Sequence, residues 1–135
     1  MSRRPPSIED VARVAEFRAS LRRFLRRSER IARQSGLTPQ RHLLLLMIKG
    51  ATDGTERSTV TALAERLQLA QSTVTELVRR AEEAGLVERE QSEQDGRVAH
   101  LRLSAEGERR LMHSFTDHET ERAQLRDAFA HLEAS

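Results

Sequence analysis

The hydrophobic pattern of this sequence changes its period at Gly85, and no other feature constrains the fold as strongly. Over 71–84, apolar residues recur at the three- and four-residue spacing of an amphipathic helix. Over 86–89 and 98–103, apolar and polar residues alternate as they do in strands, and the polar stretch between these segments contains the turn Asp95-Gly. The sequence therefore predicts a helix that leads directly into a β-hairpin.

Three more helices are predicted ahead of this pair. The first ends at Gly36, and the second begins at Thr38-Pro, an N-cap followed by a proline at the first helical position. The second helix contains the most apolar segment of the chain, 43–48, which places it at the centre of the core. Thr61 is predicted to cap the third, a short helix over 62–67 that a tight turn joins to the helix before the hairpin.

After the hairpin, the sequence predicts one long helix capped by Ser104. Its apolar residues follow the alternating spacing of a heptad seam, which is typical of helices that pair. Two polar members, His118 and Arg122, either set the register of a pairing or mark an exposed part of the seam. The members of the seam are Leu111, Phe115, His118, Arg122, Leu125, Phe129 and Leu132.

The order helix, short turn, helix and hairpin is that of a winged helix-turn-helix. In such a domain the second helix enters the major groove of DNA, and an arginine at the hairpin tip reaches the minor groove. The predicted fold class is therefore mainly α with a small β-wing. We expect three parts: an N-terminal helical arm over 1–36, a winged lobe over 37–103 and a C-terminal helix over 104–135.

Composition excludes several other classes of protein. The 135 residues suffice for one compact domain with helical arms. With no cysteine, the chain has no disulfide, thiol nucleophile or cysteine-ligated metal. No apolar run approaches the roughly 18 residues of a membrane span, and the N-terminus does not resemble a secretory signal. We therefore expect a soluble, cytoplasmic protein with no membrane partner.

Six short segments carry a family resemblance over roughly residues 8 to 130. They are Thr38-Pro-Gln-Arg-His-Leu, Leu63-Ala-Glu-Arg-Leu-Gln-Leu, Ser72-Thr-Val-Thr-Glu-Leu-Val, Ala84-Gly-Leu-Val-Glu-Arg, Asp95-Gly-Arg and Leu103-Ser-Ala-Glu-Gly. In this order and spacing, the sequence resembles the MarR-type transcriptional regulators. The most specific part is the turn at Ala84 followed at a fixed distance by Asp95-Gly-Arg.

The resemblance implies a homodimer that binds a pseudo-palindromic operator in double-stranded promoter DNA, usually as a repressor. It also implies that the terminal helices of two subunits intertwine to form the dimer. In this family a small ligand, often an aromatic acid or a phenol, commonly releases the DNA. The sequence also ends at Ser135, about where members of the family begin a final dimerisation helix, so we expect the first and last helices to carry the dimer.

The resemblance assigns a role to each residue of the predicted DNA interface. Asp95 orients the wing, and Arg80, near the end of the recognition helix, braces that aspartate. The residues implied to face DNA are Gln71, Ser72, Thr73, Thr75, Glu76 and Arg79 on the recognition helix, with Arg97 as the minor-groove arginine of the wing.

Three departures from the family pattern concern this interface. Ala70 occupies a position where the family commonly has a capping serine, so we expect an uncapped recognition helix. Glu76 replaces a common arginine; a carboxylate there repels phosphate but can accept a hydrogen bond from cytosine N4. Glu90 and Glu93 make the wing acidic. Together these departures predict modest non-specific affinity, with more of the binding carried by specific contacts.

Two groups of basic residues have alternative interpretations. His42 and His113 either line an effector cleft between the helical arms and the winged lobe, or are ordinary packing and surface residues. The arginines of the first helix either contact phosphates or, as we favour, form a solvated face partly paired with the acidic tail of a second subunit. These arginines are Arg22, Arg23, Arg26, Arg27, Arg30 and Arg33.

No motif in the sequence supports catalysis. A nucleophile elbow, a phosphate loop and a metal-ligand spacing are all missing, so we expect no enzyme activity, metal site or cofactor. The alternative to a DNA-binding regulator is a winged-helix module that binds a partner protein and does not bind DNA by itself. Glu76 and the acidic wing favour that alternative.

Overall fold

The computed structural model describes residues 4–91, 94 and 96–133, and it confirms the mainly α fold class with a small β-wing. The wing is a two-stranded antiparallel sheet. The elements are α1 (Ile8–Gln34), α2 (Pro39–Lys49), α3 (Val60–Leu67), α4 (Gln71–Glu83), β1 (Val87–Gln91), β2 (Ala99–Leu103), α5 (Ala105–Asp117) and α6 (Glu119–Glu133).

Side-chain caps fix where most of the helices begin. Ser7, Thr38 and Ser104 cap α1, α2 and α5 as the sequence predicts. The predicted start of α3 is wrong, because Thr59 is the residue that accepts from the Ala62 amide, at 3.2 Å. Ser58, next to this cap, pairs with the wing and holds Thr59 in the extended conformation that an N-cap requires.

The long final helix predicted from the heptad seam is divided at His118 into α5 and α6. The His118 backbone, with ψ of 0°, leaves helical geometry, although its amide still donates to the Ser114 carbonyl at 3.1 Å. Its imidazole Nδ1 donates to the same carbonyl at 2.6 Å. A side chain that joins the helical hydrogen-bond ladder in this way is a known cause of bending.

The bend returns α6 along α1, so that the two terminal helices form one arm. The rings of Phe17 and Phe129 meet edge to face, with centroids 6.0 Å apart. Arg27 pairs with Glu121 across the same helices at 3.4 Å. Both pairs join the start of the chain to its end.

The core surrounds α2, as the apolar run in the sequence predicts. Leu44, Leu45 and Ile48 are fully buried. They are covered by apolar side chains from each of the other elements of the lobe and from α5: Leu63, Val74, Val78, Ala81, Leu86, Val87, Leu101, Leu103 and Leu111. This packing fixes α4 and the wing against one support.

Two residues with a left-handed backbone conformation, one before α4 and one after it, set the direction of the chain at the two ends of this helix. Gln68, with φ of 57°, ends α3, and Gly85, with φ of 75°, follows α4 as predicted for a left-handed cap. In the wing, Val87 pairs with Leu103 and Gln91 with Ala99. A further bridge between Ser58 and Leu101, which the sequence does not predict, ties the base of the wing to the start of α3.

Ser104 and Gly107 join the wing to α5. The Ser104 hydroxyl donates to the Gly85 carbonyl at 2.6 Å and accepts from the Gly107 amide at 3.0 Å. A Cβ on Gly107 would lie 2.1 Å from the Leu86 carbonyl oxygen, so only glycine permits this approach. The end of α4, the wing and α5 therefore meet at one rigid joint.

Candidate nucleic-acid interface

Helix α4 has a buried face and a face of short polar side chains. Val74, Val78 and Ala81 are completely buried against the core. The side chains predicted to face DNA, which are exposed, include Gln71, Ser72, Thr73, Thr75 and Arg79. A helix anchored on one side, with small polar groups on the other, has the shape and chemistry that fit a major groove.

The first turn of α4 lacks a side-chain cap. Ala70 occupies the N-cap position with extended backbone and no capping hydrogen bond, which confirms the expectation from the sequence. The side-chain amide of Gln71 donates to the Thr61 hydroxyl at 3.5 Å and joins α4 to α3. The uncapped backbone amides of this turn point outward with the positive end of the helix dipole, an arrangement that suits a phosphate.

Glu76, Arg79, Arg80 and Glu83, hereafter the Glu76 cluster, form a chain of ion pairs along α4. Glu76 Oε2 accepts from Arg79 Nε at 2.9 Å, and Oε1 accepts from Arg80 Nε at 3.1 Å. Arg79 also pairs with Glu83 one turn further on. Arg79 therefore lies between two carboxylates. The three- and four-residue spacing of these charges in the sequence is the signal that predicts such pairs.

The arginines keep Glu76 ionised over the whole physiological range. Hydrogen bonding from Arg79, reinforced by Arg80, lowers the pKa of the Glu76 carboxyl to about 2. Glu76 in turn raises the pKa of Arg79 further above its usual value. Any surface that approaches α4 therefore meets a fixed carboxylate beside two guanidiniums.

The predicted brace of the wing is only partly within the described structure. Arg97 is exposed on the wing, while Asp95 and Glu93 lie outside the described residues. Arg80, predicted to brace Asp95, pairs with Glu76. The brace between Arg80 and Asp95 stays a prediction. Between α4 and the wing, Arg89 pairs with Glu82 at 2.8 Å.

The strands of the wing carry a network of ion pairs. Arg102 contacts Glu88 and Glu90, each at 3.2 Å, and Glu90 also pairs with Arg57 at 3.3 Å. Acidic side chains near the wing are thus matched by arginines. This matching reduces the negative charge that the sequence suggests for the wing.

A cavity of about 270 Å³ lies where α1, α2 and the bend between α5 and α6 meet. Its walls are mostly apolar, and His42 lies in it; an effector role for this histidine stays a prediction. His113 lies outside the cavity: its exposed ring faces Asp117 at 3.6 Å. The described lining residues are Phe24, Leu25, Ser28, Glu29, Pro39, His42, Leu43, Leu46, Phe115, His118 and Arg122.

His118 is one of three cavity residues, with Phe115 and Arg122, that the sequence pattern assigns only to the heptad seam. It is buried and stacks on His42, and its Nε2 lies 2.9 Å from the Ser28 hydroxyl. The Arg122 guanidinium stands over the Phe115 ring, 3.8 Å from its centroid. The polar interruption of the seam at these two positions is the signal in the sequence that could have indicated a cavity.

The arginines of α1 have different surroundings. Arg23 pairs with Glu16 on the same helix at 3.1 Å, and Arg27 pairs with Glu121 of α6. The sequence predicts pairing with the acidic tail of a second subunit, whereas the pair of Arg27 with Glu121 lies within one chain. Whether these arginines also contact phosphate stays a prediction.

Within the described ranges, no group of three or more histidine, aspartate or glutamate side chains could hold a metal ion. The helices at these residues also lack a stretch long and apolar enough to cross a membrane.

An exposed polar helix and an antiparallel hairpin, held on one core behind a tight turn, define a winged helix-turn-helix domain. Residues 35–98 match the model of the MarR family. No curated protein matches the sequence. Over residues 35–98, the chain carries a winged-helix domain of the MarR family.

Solved structures share this fold over most of both chains. A MarR family protein from Bacillus stearothermophilus is 26% identical, with a TM-score of 0.76, over 90% of this chain and 82% of that one. AbsC, a MarR family transcriptional regulator from Streptomyces coelicolor, is 22% identical, with a TM-score of 0.70, over 96% and 84%. A mutant MarR from E. coli, complexed with operator DNA, is 19% identical, with a TM-score of 0.70, over 86% and 84%.

Proposed function

We propose that this protein is a DNA-binding transcriptional regulator that represses its target promoter as a homodimer. The observation that carries the proposal is the outward face of α4. Ser72, Thr73 and Thr75 are exposed there while Val74 and Val78 anchor the helix from behind. The similarity to a MarR protein complexed with operator DNA supports the same interface. Such a protein acts in the cytoplasm, where promoter DNA is accessible.

Exposed apolar side chains on the helical arms support the dimer. A monomer rarely leaves so many large apolar groups in water on neighbouring helices. We assign the dimer interface to the segments 1–36 and 104–135, and DNA binding to the lobe 37–103. The exposed residues are Ile8, Val11, Val14 and Leu25 on α1, Met112 and Phe115 on α5 and Phe129 on α6.

A two-fold dimer fixes the form of the operator. Its two α4 helices enter successive major grooves on one side of the duplex, so half-site centres lie roughly 34 Å apart. The operator is therefore an inverted repeat with a spacing of one helical turn. Arg97 reaches the minor groove beside each half-site, where the negative potential is strongest.

The cavity beside His42 supports control by a small molecule. It contacts both the arm and the lobe, and its volume and apolar walls suit one aromatic ring, such as that of an aromatic acid or a phenol. A ligand causes the dimer to release DNA if it binds more tightly to the conformation in which the spacing of the two lobes does not fit the operator. A panel of aromatic acids and phenols that leaves operator affinity unchanged would count against this control.

Selection from a random duplex library at near-physiological salt tests the DNA-binding proposal. We expect the wild-type protein to enrich an inverted repeat with one-turn spacing. Ser72→Glu adds a negative charge on the outward face of α4 and should abolish the enrichment, because phosphates repel it. Thr52→Glu adds the same charge in the exposed loop between α2 and α3 and should leave the enrichment intact.

The paired arginines of α4 favour one other function, that of a module that binds a partner protein. Arg79 and Arg80 are already occupied by carboxylates, which weakens their attraction for a polyanion. Failure of the wild-type protein and of Thr52→Glu to enrich any duplex would support this alternative.

A further inference from the structure

The recognition helix supplies the counter-charges of its own arginines. The two carboxylates and two guanidiniums of the Glu76 cluster sum to no net charge on the outward half of α4. The side chains of Glu76 and Arg79 remain 44% and 53% exposed, so the pair faces the solvent side by side. An approaching duplex therefore meets an acceptor and a donor that are already aligned.

This pairing disfavours contacts that are independent of sequence. Phosphate contacts supply most of the non-specific affinity of DNA-binding proteins. If Arg79 contacts a phosphate while it stays paired, Glu76 and Glu83 are brought close to the same negative backbone; if it leaves them, both carboxylates stand unpaired there. The Glu76 cluster thus selects for contacts in which donor and acceptor are satisfied together.

One base pair offers such a combination with particularly good geometry. In the major groove, guanine presents two acceptors, O6 and N7, and its partner cytosine presents one donor, N4. A guanidinium donates to both guanine acceptors, and a carboxylate accepts from the cytosine amine. The adjacent Arg79 and Glu76 side chains carry these two groups without breaking their mutual contact.

We propose that Glu76 is a specificity-determining residue, and that the Glu76–Arg79 pair reads one C·G base pair in each half-site. Glu76 accepts from cytosine N4, and Arg79 donates to guanine O6 and N7. This inference rests on the proposed function, since it requires α4 to enter a major groove. To the proposed function, the inference adds the identity of one base pair that is recognised and a reason for low non-specific affinity.

The experiment compares Glu76→Gln with the wild-type protein by library selection and by titration of the selected operator and of a non-operator duplex. Glutamine keeps the size of the side chain but loses its charge, and its amide favours adenine over cytosine. We expect discrimination for C·G at one position of each half-site to fall by about fivefold or more. We also expect tighter binding of non-operator duplex, with a salt slope steeper by about 0.9 for each additional phosphate that the variant neutralises.

Glu106 on α5 provides a matched control. It pairs with Arg109 and Arg110 at the same three- and four-residue spacing, on a helix outside the proposed DNA interface and within the segment assigned to the dimer. Glu106→Gln should therefore keep both the base preference and the non-operator affinity, and gel filtration establishes that its oligomeric state is that of the wild-type protein. Circular dichroism of both variants establishes that the fold is retained.

The outcomes separate this inference from the function on which it rests. If the wild-type protein and Glu106→Gln select an operator and Glu76→Gln selects the same bases with the same non-operator affinity, the assignment of Glu76 is overturned while DNA binding stands. If none of the proteins selects DNA, the proposed function fails and the assignment fails with it. A change of preference in Glu106→Gln as well would also overturn the assignment.

Discussion

The imidazole rings of His42 and His118 stack on each other, with centroids 5.2 Å apart and planes inclined by 17°. The contact joins α2, at the centre of the winged lobe, to the bend between α5 and α6. Since the Ser114 carbonyl can only accept, His118 carries a proton on Nδ1. Ser28 on α1 lies against the other nitrogen of this ring. Three helices of the arm and the lobe are therefore connected through one pair of histidines.

This contact predicts that the protein loses stability in mild acid. Burial, and secondarily the neighbouring His118, lower the pKa of His42 below its ordinary value of 6.5. The folded chain keeps His42 neutral while the unfolded chain binds a proton, so unfolding takes up a proton as the pH falls through 6.5 toward the lowered value. The contribution of His42 is complete above that window and is lost below it, with a slope of up to about 1.4 kcal/mol per pH unit.

Urea unfolding between about pH 5 and pH 8 measures this effect, the range in which histidines titrate. His42→Phe keeps an aromatic ring against His118 without a titrating group, so its free energy of unfolding should fall less steeply in acid. His113→Gln removes an exposed ring outside the cavity and serves as the control. Equal slopes for His42→Phe and the wild-type protein would contradict the prediction.

The joint at Gly107 predicts a large loss of stability from a single methyl group. In Gly107→Ala the new Cβ would overlap the Leu86 carbonyl, and backbone on both sides leaves no flexible group to move aside. Overpacking of this kind costs about 1–3 kcal/mol of unfolding free energy. Gly96 has no atom near its Cβ position, so Gly96→Ala should change that free energy by less than about 0.5 kcal/mol. Denaturant titration of both variants tests the difference.

Much of the fold is predictable from local signals in the sequence. The caps at Ser7, Thr38 and Ser104 and the left-handed Gly85 act through neighbouring residues, and these boundaries are correct. The cap predicted for α3, Thr61, is wrong, because the helix begins two residues earlier with Thr59 as its cap. The choice of Thr59 depends on the bridge from Ser58 to the wing, a contact distant in sequence.

The candidate site is predictable to a similar degree. Periodicity separates the buried and exposed faces of α4. Arg79 and Arg80 follow Glu76 at the three- and four-residue spacing at which ion pairs form on a helix. The heptad pattern places His118 in a seam but does not show that its ring bends the helix toward His42. That position is set by packing between α2, α5 and α1, which a linear pattern does not record.

Because the start of α4 has no side-chain cap, adding one should stabilise the protein. Ala70 already has the extended backbone of an N-cap, so the hydroxyl in Ala70→Ser can accept from an amide of the first turn. We expect the free energy of unfolding to rise by about 1 kcal/mol. Thr59→Ala, which removes the existing cap of α3, should lower it by a similar amount. Thermal unfolding of the two variants would show opposite shifts, and a destabilised Ala70→Ser would contradict this account of α4.

The wing provides the prediction that bears most directly on function. Arg97 is exposed on the hairpin, and an arginine there that enters the minor groove contributes both affinity and salt dependence. Arg97→Ala should weaken operator binding by about 1–3 kcal/mol and lower the salt slope by about one. Arg126→Ala removes an equally charged, exposed side chain from α6, in the segment assigned to the dimer and not to DNA contact, and should leave the salt slope unchanged. Binding titrations at several salt concentrations measure the two effects together. If both alanine variants bind as the wild-type protein does, the wing does not touch DNA, and α4 alone carries the contact.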